Sequence, residues 1–84
     1  MDTDQSIARA IQVRMLRLGI SQKELADMAG INEATLSSYM SGKVKGGWKI
    51  ALLDKLSKPL KWAGAIDVSN AAAVELSEYE KLAA

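Results

Sequence analysis

Residues 20–43 contain start and stop signals for two short helices, and these signals constrain the fold more than any other part of the chain. Ser21, followed three residues later by Glu24, predicts a capping box in which each side chain accepts a hydrogen bond from the other residue's amide. Gly30 can take the positive φ that a sharp turn between helices requires. Together these residues predict a helix over about 22–29 that ends in a tight turn.

A second helix follows this turn and has a small, polar outer side. Asn32 is a preferred N-cap residue and Gly42 a preferred stop, so the helix should run to about Ser41. Leu36 is expected to point inward against the preceding helix. At 100° per residue, short side chains occupy the opposite side, with two polar residues at the amino-terminal tip. The outer side comprises Ala34, Ser37, Ser38 and Ser41, and the tip comprises Asn32 and Glu33.

Helical periodicity continues on both sides of this pair. Asp4 is a candidate cap for a first helix that runs to Leu18 and closes at Gly19. Its apolar stripe comprises Ile7, Ile11, Met15 and Leu18, while Arg9, Arg14 and Arg17 are expected to face water. A fourth helix is predicted after Gly46 and Gly47, with Pro59 interrupting it. Its apolar residues are Trp48, Ala51, Leu52 and Leu56, and the alternative for Trp48 is stacking on a nucleic-acid base.

The last third of the chain is less regular. Residues 60–65 could form a short helix or a turn, and 65–68 a connector, before Ser69 or Asn70 caps a final helix to about Leu82. The apolar residues of that helix are Ala72, Leu76, Tyr79 and Ala83. No strand pattern appears, so we predict an all-α fold, a compact bundle of four to five short helices plus a C-terminal helix. We divide it into a helix-turn-helix domain over 1–66 and a C-terminal extension over 67–84.

Composition excludes most enzyme classes. The 84 residues include no Cys and no His, so the commonest nucleophiles, general bases and soft metal ligands are missing. There is also no glycine-rich phosphate loop and no apolar run long enough to cross a membrane. We therefore expect a cytoplasmic protein that is not an enzyme and has no cofactor, metal site, membrane contact or small-molecule substrate.

Charge and side-chain size favour binding to DNA. Residues 1–63 contain ten Lys or Arg and six Asp or Glu, a balance of +4, whereas 64–84 contain one and four, a balance of −3. Short side chains on the outer side of a helix allow its backbone to approach base edges in the major groove. Phosphate contacts are expected from Gln22 at a helix start and from Lys43, Lys45 and Lys49 beyond the second helix of the pair.

The helix pair follows the pattern Ser21-Gln22-x-Glu24-Leu25-Ala26-x-x-Ala29-Gly30-Ile31-x-x-x-Thr35-Leu36-Ser37-x-Tyr39-x-Ser41-Gly42-Lys43. In this pattern the chain resembles the lambda-repressor-like (Cro/repressor, XRE) helix-turn-helix family, over about residues 6–56. The resemblance implies a five-helix bundle that binds operator DNA, usually as a homodimer, with its third helix in the major groove. It implies base-facing positions at Asn32, Glu33, Ala34 and Ser38, and phosphate-facing positions at Gln22, Thr35, Ser41, Lys43 and Lys45.

The chain departs from that family in two ways. Some phage members pair an Arg on the first helix with a Glu on the third, where this chain has Met15 and Met40. Replacing a buried ion pair by apolar groups is often neutral or stabilising, so the fold is not affected. From Pro59 onward, an alanine-rich acidic segment replaces the family's leucine-rich fifth helix. The segment after Pro59 therefore leaves the mode of dimerisation open.

The sequence thus predicts a sequence-specific transcriptional regulator, most simply a phage- or prophage-type repressor that binds a near-palindromic operator as a homodimer. Glu33 either accepts from a cytosine amino group or only stabilises its own helix start. Two alternatives to the repressor remain. The same motif could belong to the antitoxin of a toxin–antitoxin pair, or to a protein-interaction adaptor that kept the fold without binding DNA.

Overall fold

Five helices make up the fold in a computed structural model that describes residues 2–83. No strand occurs within that range, and the all-α prediction is confirmed. The helices are α1 (Thr3–Leu18), α2 (Gln22–Ala29), α3 (Glu33–Met40), α4 (Ile50–Ser57) and α5 (Ala65–Ala83). None of the described helices is long and apolar enough to span a membrane.

With Asp4 as its cap, α1 would begin at Gln5, but it begins two residues earlier, at Thr3. Asp2 is the N-cap, with its Oδ1 accepting from the Gln5 amide at 2.8 Å, while the Gln5 side chain accepts from the Asp2 amide at 3.0 Å. The prediction of Asp4 as the cap was therefore wrong, because the glutamine that completes a capping box lies three residues after Asp2. Gly19 closes the helix with a φ of +68°, as predicted.

Helix α4 is shorter than its predicted apolar stripe. Trp48 lies in the loop before the helix, which begins at Ile50, and Ala51 is exposed rather than inward-facing. Leu56 is buried as predicted, Leu52 and Trp48 are half-buried against the core, and Leu53 adds to the buried side. The prediction was wrong for Ala51 and for the inclusion of Trp48 in the helix.

Helix α5 begins at Ala65, so the predicted connector over 65–68 and a cap at Ser69 or Asn70 were wrong. A residue of another helix stabilises this start, because the Ala65 amide donates to Oδ1 of Asp54 on α4 at 2.9 Å. Asp67 also accepts from the Ala63 amide at 2.8 Å. The proposed boundary between 66 and 67 lies within the first turn of α5, and its assignment of two units stays a prediction.

The apolar core lies where α1, α4 and α5 meet and extends between α2 and α3. Its most fully buried side chains are Ile11, Leu25, Leu36, Leu56, Leu60 and Val68. Ala72 is buried as predicted and Leu76 is half-buried, whereas Tyr79 is exposed; the side chain of Ala83 lies outside the described residues. Because Val68 and Ala72 belong to this core, α5 contributes to the stability of the whole bundle.

Arg14 was predicted to face water, but its side chain instead binds the backbone of another segment. Its Nε donates to the carbonyl of Leu60 at 2.8 Å and its Nη2 to that of Lys61 at 3.4 Å. The guanidinium also lies 5.5 Å from the centre of the Trp62 ring, a cation–π arrangement. One side chain thus joins α1 to the turn between α4 and α5, where Lys61 has a φ of +61°.

Candidate nucleic-acid interface

The start of α2 presents free amide groups to the surface. Ser21 and Glu24 form the predicted capping box, with both hydrogen bonds at 3.1 Å. The box uses the Glu24 amide. The amides at the first two helical positions have no acceptor within the helix. Gln22 occupies the first of these positions and its side chain is half-buried. An anion at this point would meet both backbone donors and the favourable end of the helix dipole.

The turn after α2 and the cap of α3 are formed as the sequence predicts. Gly30 has a φ of +72°, and Asn32 caps α3 by accepting from the Ala34 amide at 2.7 Å. Leu36 is completely buried against the core. Because Leu36 fixes the inward side of α3, the rotation of the helix about its axis is determined, and so is its outer side.

The outer side of α3 is open to solvent. Six of the predicted DNA-facing residues on or beside α3 are exposed and Ser38 is half-buried. The exposed residues are Asn32, Glu33, Ala34, Thr35, Ser37 and Ser41. This surface has no large side chain to keep a second macromolecule away from the helix backbone.

Two serine hydroxyls on this surface donate hydrogen bonds within the helix. Ser38 Oγ donates to the Ala34 carbonyl at 3.0 Å, and Ser41 Oγ donates to the Ser37 carbonyl at 2.9 Å. A hydroxyl has a single proton, so each of these oxygens is left as an acceptor. Ser41 would have to leave this bond before it could donate to a phosphate.

The loop between α3 and α4 contains the three lysines predicted to contact phosphates. Lys43 follows Gly42, whose φ is +75°, and the Lys43 amide donates to the Ser38 carbonyl at 3.0 Å. The backbone of Lys43 is therefore fixed to the end of α3. Lys45 lies in the next turn and Lys49 immediately precedes α4, and the side chains of all three lysines are exposed.

Trp48 anchors the end of this loop. Its ring lies 5.2 Å from that of Tyr39 on α3, and its Nε1 donates to the Asp4 carbonyl at 3.1 Å. The indole also packs against the apolar core. These contacts favour the packing role predicted for Trp48 over stacking on a base, because the ring already has partners on α1 and α3.

Close packing at Gly47 accompanies this anchor and was not predicted. Gly47 has a φ of +75°, and a Cβ built on it would collide with the Asp4 carboxylate. The Asp4 side chain therefore lies beside the loop at Gly47 and does not cap the helix. The paired glycines at 46 and 47 predicted a break between two helices. The contact of Gly47 with Asp4 arises only in the tertiary fold, so the sequence did not predict it.

These elements form a helix-turn-helix whose second helix, α3, exposes short polar residues and is followed by a lysine-bearing loop. A family model described as helix-turn-helix matches residues 11–61, which is more than half of the chain. The chain belongs to the lambda-repressor-like, XRE-type helix-turn-helix family, whose members are DNA-binding transcription regulators and not enzymes. Neither the curated proteins nor the solved structures include a match to the chain.

Membership of this family defines the broad function. The protein is a DNA-binding transcription regulator of the XRE type, and its ligand is double-stranded DNA. The family match begins within α1 and ends at Lys61, so it includes every residue predicted to face DNA.

Proposed function

We propose that this regulator is a phage- or prophage-type repressor that binds a near-palindromic operator as a homodimer, with α3 in the major groove. Repression would follow from occupation of a promoter. In this proposal the base-facing residues are Asn32, Glu33, Ala34, Ser37 and Ser38. The phosphate-facing residues are Gln22, Thr35, Ser41, Lys43, Lys45 and Lys49.

The observation that carries this proposal is the contrast between the two sides of α3. Leu36 is fully buried, whereas the opposite side offers short polar residues and no bulky one. Serine is a poorer helix former than Lys or Glu by a few tenths of a kcal/mol, so three serines on a solvated face would otherwise only cost stability. Close approach to base edges accounts for their presence.

Exposed apolar side chains on α5 support the homodimer part of the proposal. Val74 is 60% exposed, Tyr79 49% and Leu82 88%. Several exposed apolar residues on one helix can form a patch that an interface covers, and a twofold axis would bring the same surface from both subunits together. Two recognition helices in such a dimer lie about 34 Å apart, one turn of DNA.

Selection of bound duplexes from a random pool, followed by sequencing, tests the DNA-reading function. The expected result is one enriched motif with two inverted half-sites about 10 base pairs apart, centre to centre. Recovery of DNA without sequence enrichment would contradict sequence-specific binding. A single, unrepeated half-site would contradict the homodimer but not the reading of bases.

Light scattering on surface variants tests the assignment of α5 to the dimer. We expect Val74→Ser with Leu82→Ser to shift the mass from dimer to monomer, because both side chains are exposed and neither supports the core. Met28→Ser on α2 is the matched control, since Met28 is 57% exposed but lies on a different helix. An unchanged dimer in the α5 variant would contradict this assignment.

The same exposed residues on α5 favour a second candidate function, the antitoxin of a toxin–antitoxin pair. In that case, the acidic carboxyl-terminal segment would cover a protein partner while α3 still represses the operon. Co-expression with the product of an adjacent small reading frame distinguishes the two, because an antitoxin forms a stable complex with it. An adaptor without DNA binding would keep its partner and give no enriched sequence in the selection.

A further inference from the structure

Hydrogen bonds within α3 restrict what its polar side chains can offer to DNA. Asn32 uses its Oδ1 to accept from the Ala34 amide at 2.7 Å, so the amide NH₂ of its side chain remains free to donate. Ser38 uses its only proton to donate to the Ala34 carbonyl at 3.0 Å, so its oxygen remains free to accept. Ser38 therefore presents only an acceptor, whereas Asn32 presents an NH₂ donor and the second lone pair of its Oδ1.

Ser37 provides a contrast within the same helix. Its hydroxyl forms no side-chain hydrogen bond to any described residue, and the residue is exposed. A free hydroxyl can donate or accept according to the base that it meets. Ser37 therefore carries no built-in preference, although it differs from Ser38 by only one position on the helix.

In the major groove, the bases differ in the hydrogen-bond donors and acceptors that they offer. Its hydrogen-bond donors are the amino groups at N4 of cytosine and N6 of adenine, whereas guanine and thymine offer acceptors at O6, N7 or O4. An oxygen that can only accept must therefore meet cytosine or adenine. The NH₂ of Asn32 carries no such restriction to one class of base, because Oδ1 beside it can still accept a second hydrogen bond.

We propose that an internal hydrogen bond of α3 fixes the polarity of its base readout at one position: Ser38 accepts from an exocyclic amino group of cytosine or adenine. This inference rests on the proposed function, in which α3 faces base edges. It adds the class of base that Ser38 reads. Glu33, whose ionised carboxylate only accepts, strengthens the preference for amino groups at the same end of the helix.

Retaining these internal bonds is favourable when the protein binds. Asn32 caps α3, and loss of an N-cap costs helix stability. Reversing the Ser38 hydroxyl would leave the Ala34 carbonyl with one fewer partner and would not add a hydrogen bond overall. The bound state that keeps both bonds therefore avoids these losses, which is the physical reason for a fixed polarity.

The test uses base analogues in the duplex that the selection identifies. Each cytosine is replaced in turn by 2-pyrimidinone, which lacks the N4 amino group, and each adenine by purine, which lacks the N6 amino group. A third series replaces purines by their 7-deaza forms, which lack the N7 acceptor. Binding is measured for the wild type and Ser38→Ala, and Ser37→Ala is compared as the neighbouring serine whose hydroxyl has no internal hydrogen bond.

The expected result is one position at which removal of an amino group weakens the wild type about three- to tenfold and leaves Ser38→Ala unaffected. Any effect of the analogue on the duplex itself is common to both proteins and cancels in this comparison. Ser37→Ala should keep the wild-type sensitivity at that position.

The proposal is overturned if the analogue that couples to Ser38 removes an acceptor, or if no analogue couples to Ser38 at all. These failures are distinct from failure of the proposed function. Without sequence-specific binding the random pool gives no enriched duplex, whereas a wrong polarity appears only after a duplex has been found.

Discussion

Trp48 donates a hydrogen bond from its indole Nε1 to the backbone carbonyl of Asp4 at 3.1 Å, joining the loop before α4 to the first turn of α1. The same ring lies 5.2 Å from Tyr39 on α3. Three segments therefore meet at one side chain. Because the loop carries Lys43, Lys45 and Lys49, this contact fixes where positive charge lies relative to α3.

Trp48→Phe should lower the free energy of unfolding by about 1 kcal/mol, because it keeps an aromatic ring beside Tyr39 but removes the hydrogen bond to Asp4. Urea denaturation measures this change. Trp48→Ala should cost more, since the packing is lost as well. Equal stabilities for the wild type and the Phe variant would mean that the hydrogen bond contributes nothing.

Gly47→Ala should destabilise the protein slightly more than Gly46→Ala, because the exposed Asp4 carboxylate must rotate away from the new Cβ. Both residues have positive φ, at +75° and +88°, so backbone strain of about 1 kcal/mol applies to each. Only at position 47 does the new Cβ meet the Asp4 carboxylate, while nothing lies within 4 Å of it at position 46. Thermal melts compare the two variants, and adding Asp4→Ala should recover the excess loss. A Gly46 variant as unstable as the Gly47 variant would contradict this account.

Arg14→Ala should destabilise the bundle by about 1 to 2 kcal/mol, because it removes the donor to the Leu60 carbonyl and the contact with Trp62. Arg14→Lys should recover little, since an ammonium cannot reproduce the planar, multi-donor geometry. Arg17→Ala is the control, because Arg17 is exposed and the change should stay within about 0.5 kcal/mol. Chemical denaturation would refute this role if the position 14 and position 17 variants lost the same stability.

Lys43→Ala with Lys45→Ala should reduce the salt dependence of DNA binding. Each phosphate contact contributes about 0.9 to the slope of log K against log salt, so loss of two contacts reduces the slope by about 1.8. The control is Lys55→Ala with Lys58→Ala, which removes two exposed lysines on and just after α4. Titrations at several salt concentrations measure both slopes. An equal reduction in both variants would contradict the specific role of the α3–α4 loop.

The helix-turn-helix could be predicted almost to the residue because its signals are local. Ser21 and Glu24 cap α2 across three positions, and Gly30 ends that helix through its own backbone conformation. Asn32 likewise caps α3 by accepting from the amide two residues further along the chain. Wherever start and stop residues act within a few positions of each other, the sequence contains all the information that the helix boundary requires.

The start of α5 could not be predicted in this way. The Ala65 amide is satisfied by Asp54, which is eleven positions away on α4, and no local pattern shows that contact. The role of Arg14 is similar, because its acceptor at Leu60 is 46 positions distant. The internal hydrogen bond of Ser38 was also hidden, since a serine on a helix can face solvent or donate to its own backbone.

Amide chemical shifts measured by NMR on addition of the selected duplex test the central claim most directly. If α3 reads base edges, the largest changes should occur at residues 32–38, at Gln22 and in the loop over 43–49. The exposed part of α5 should change little on the same addition. Shifts confined to α5, with α3 and the loop unchanged, would contradict the assignment of α3 as the DNA-reading helix.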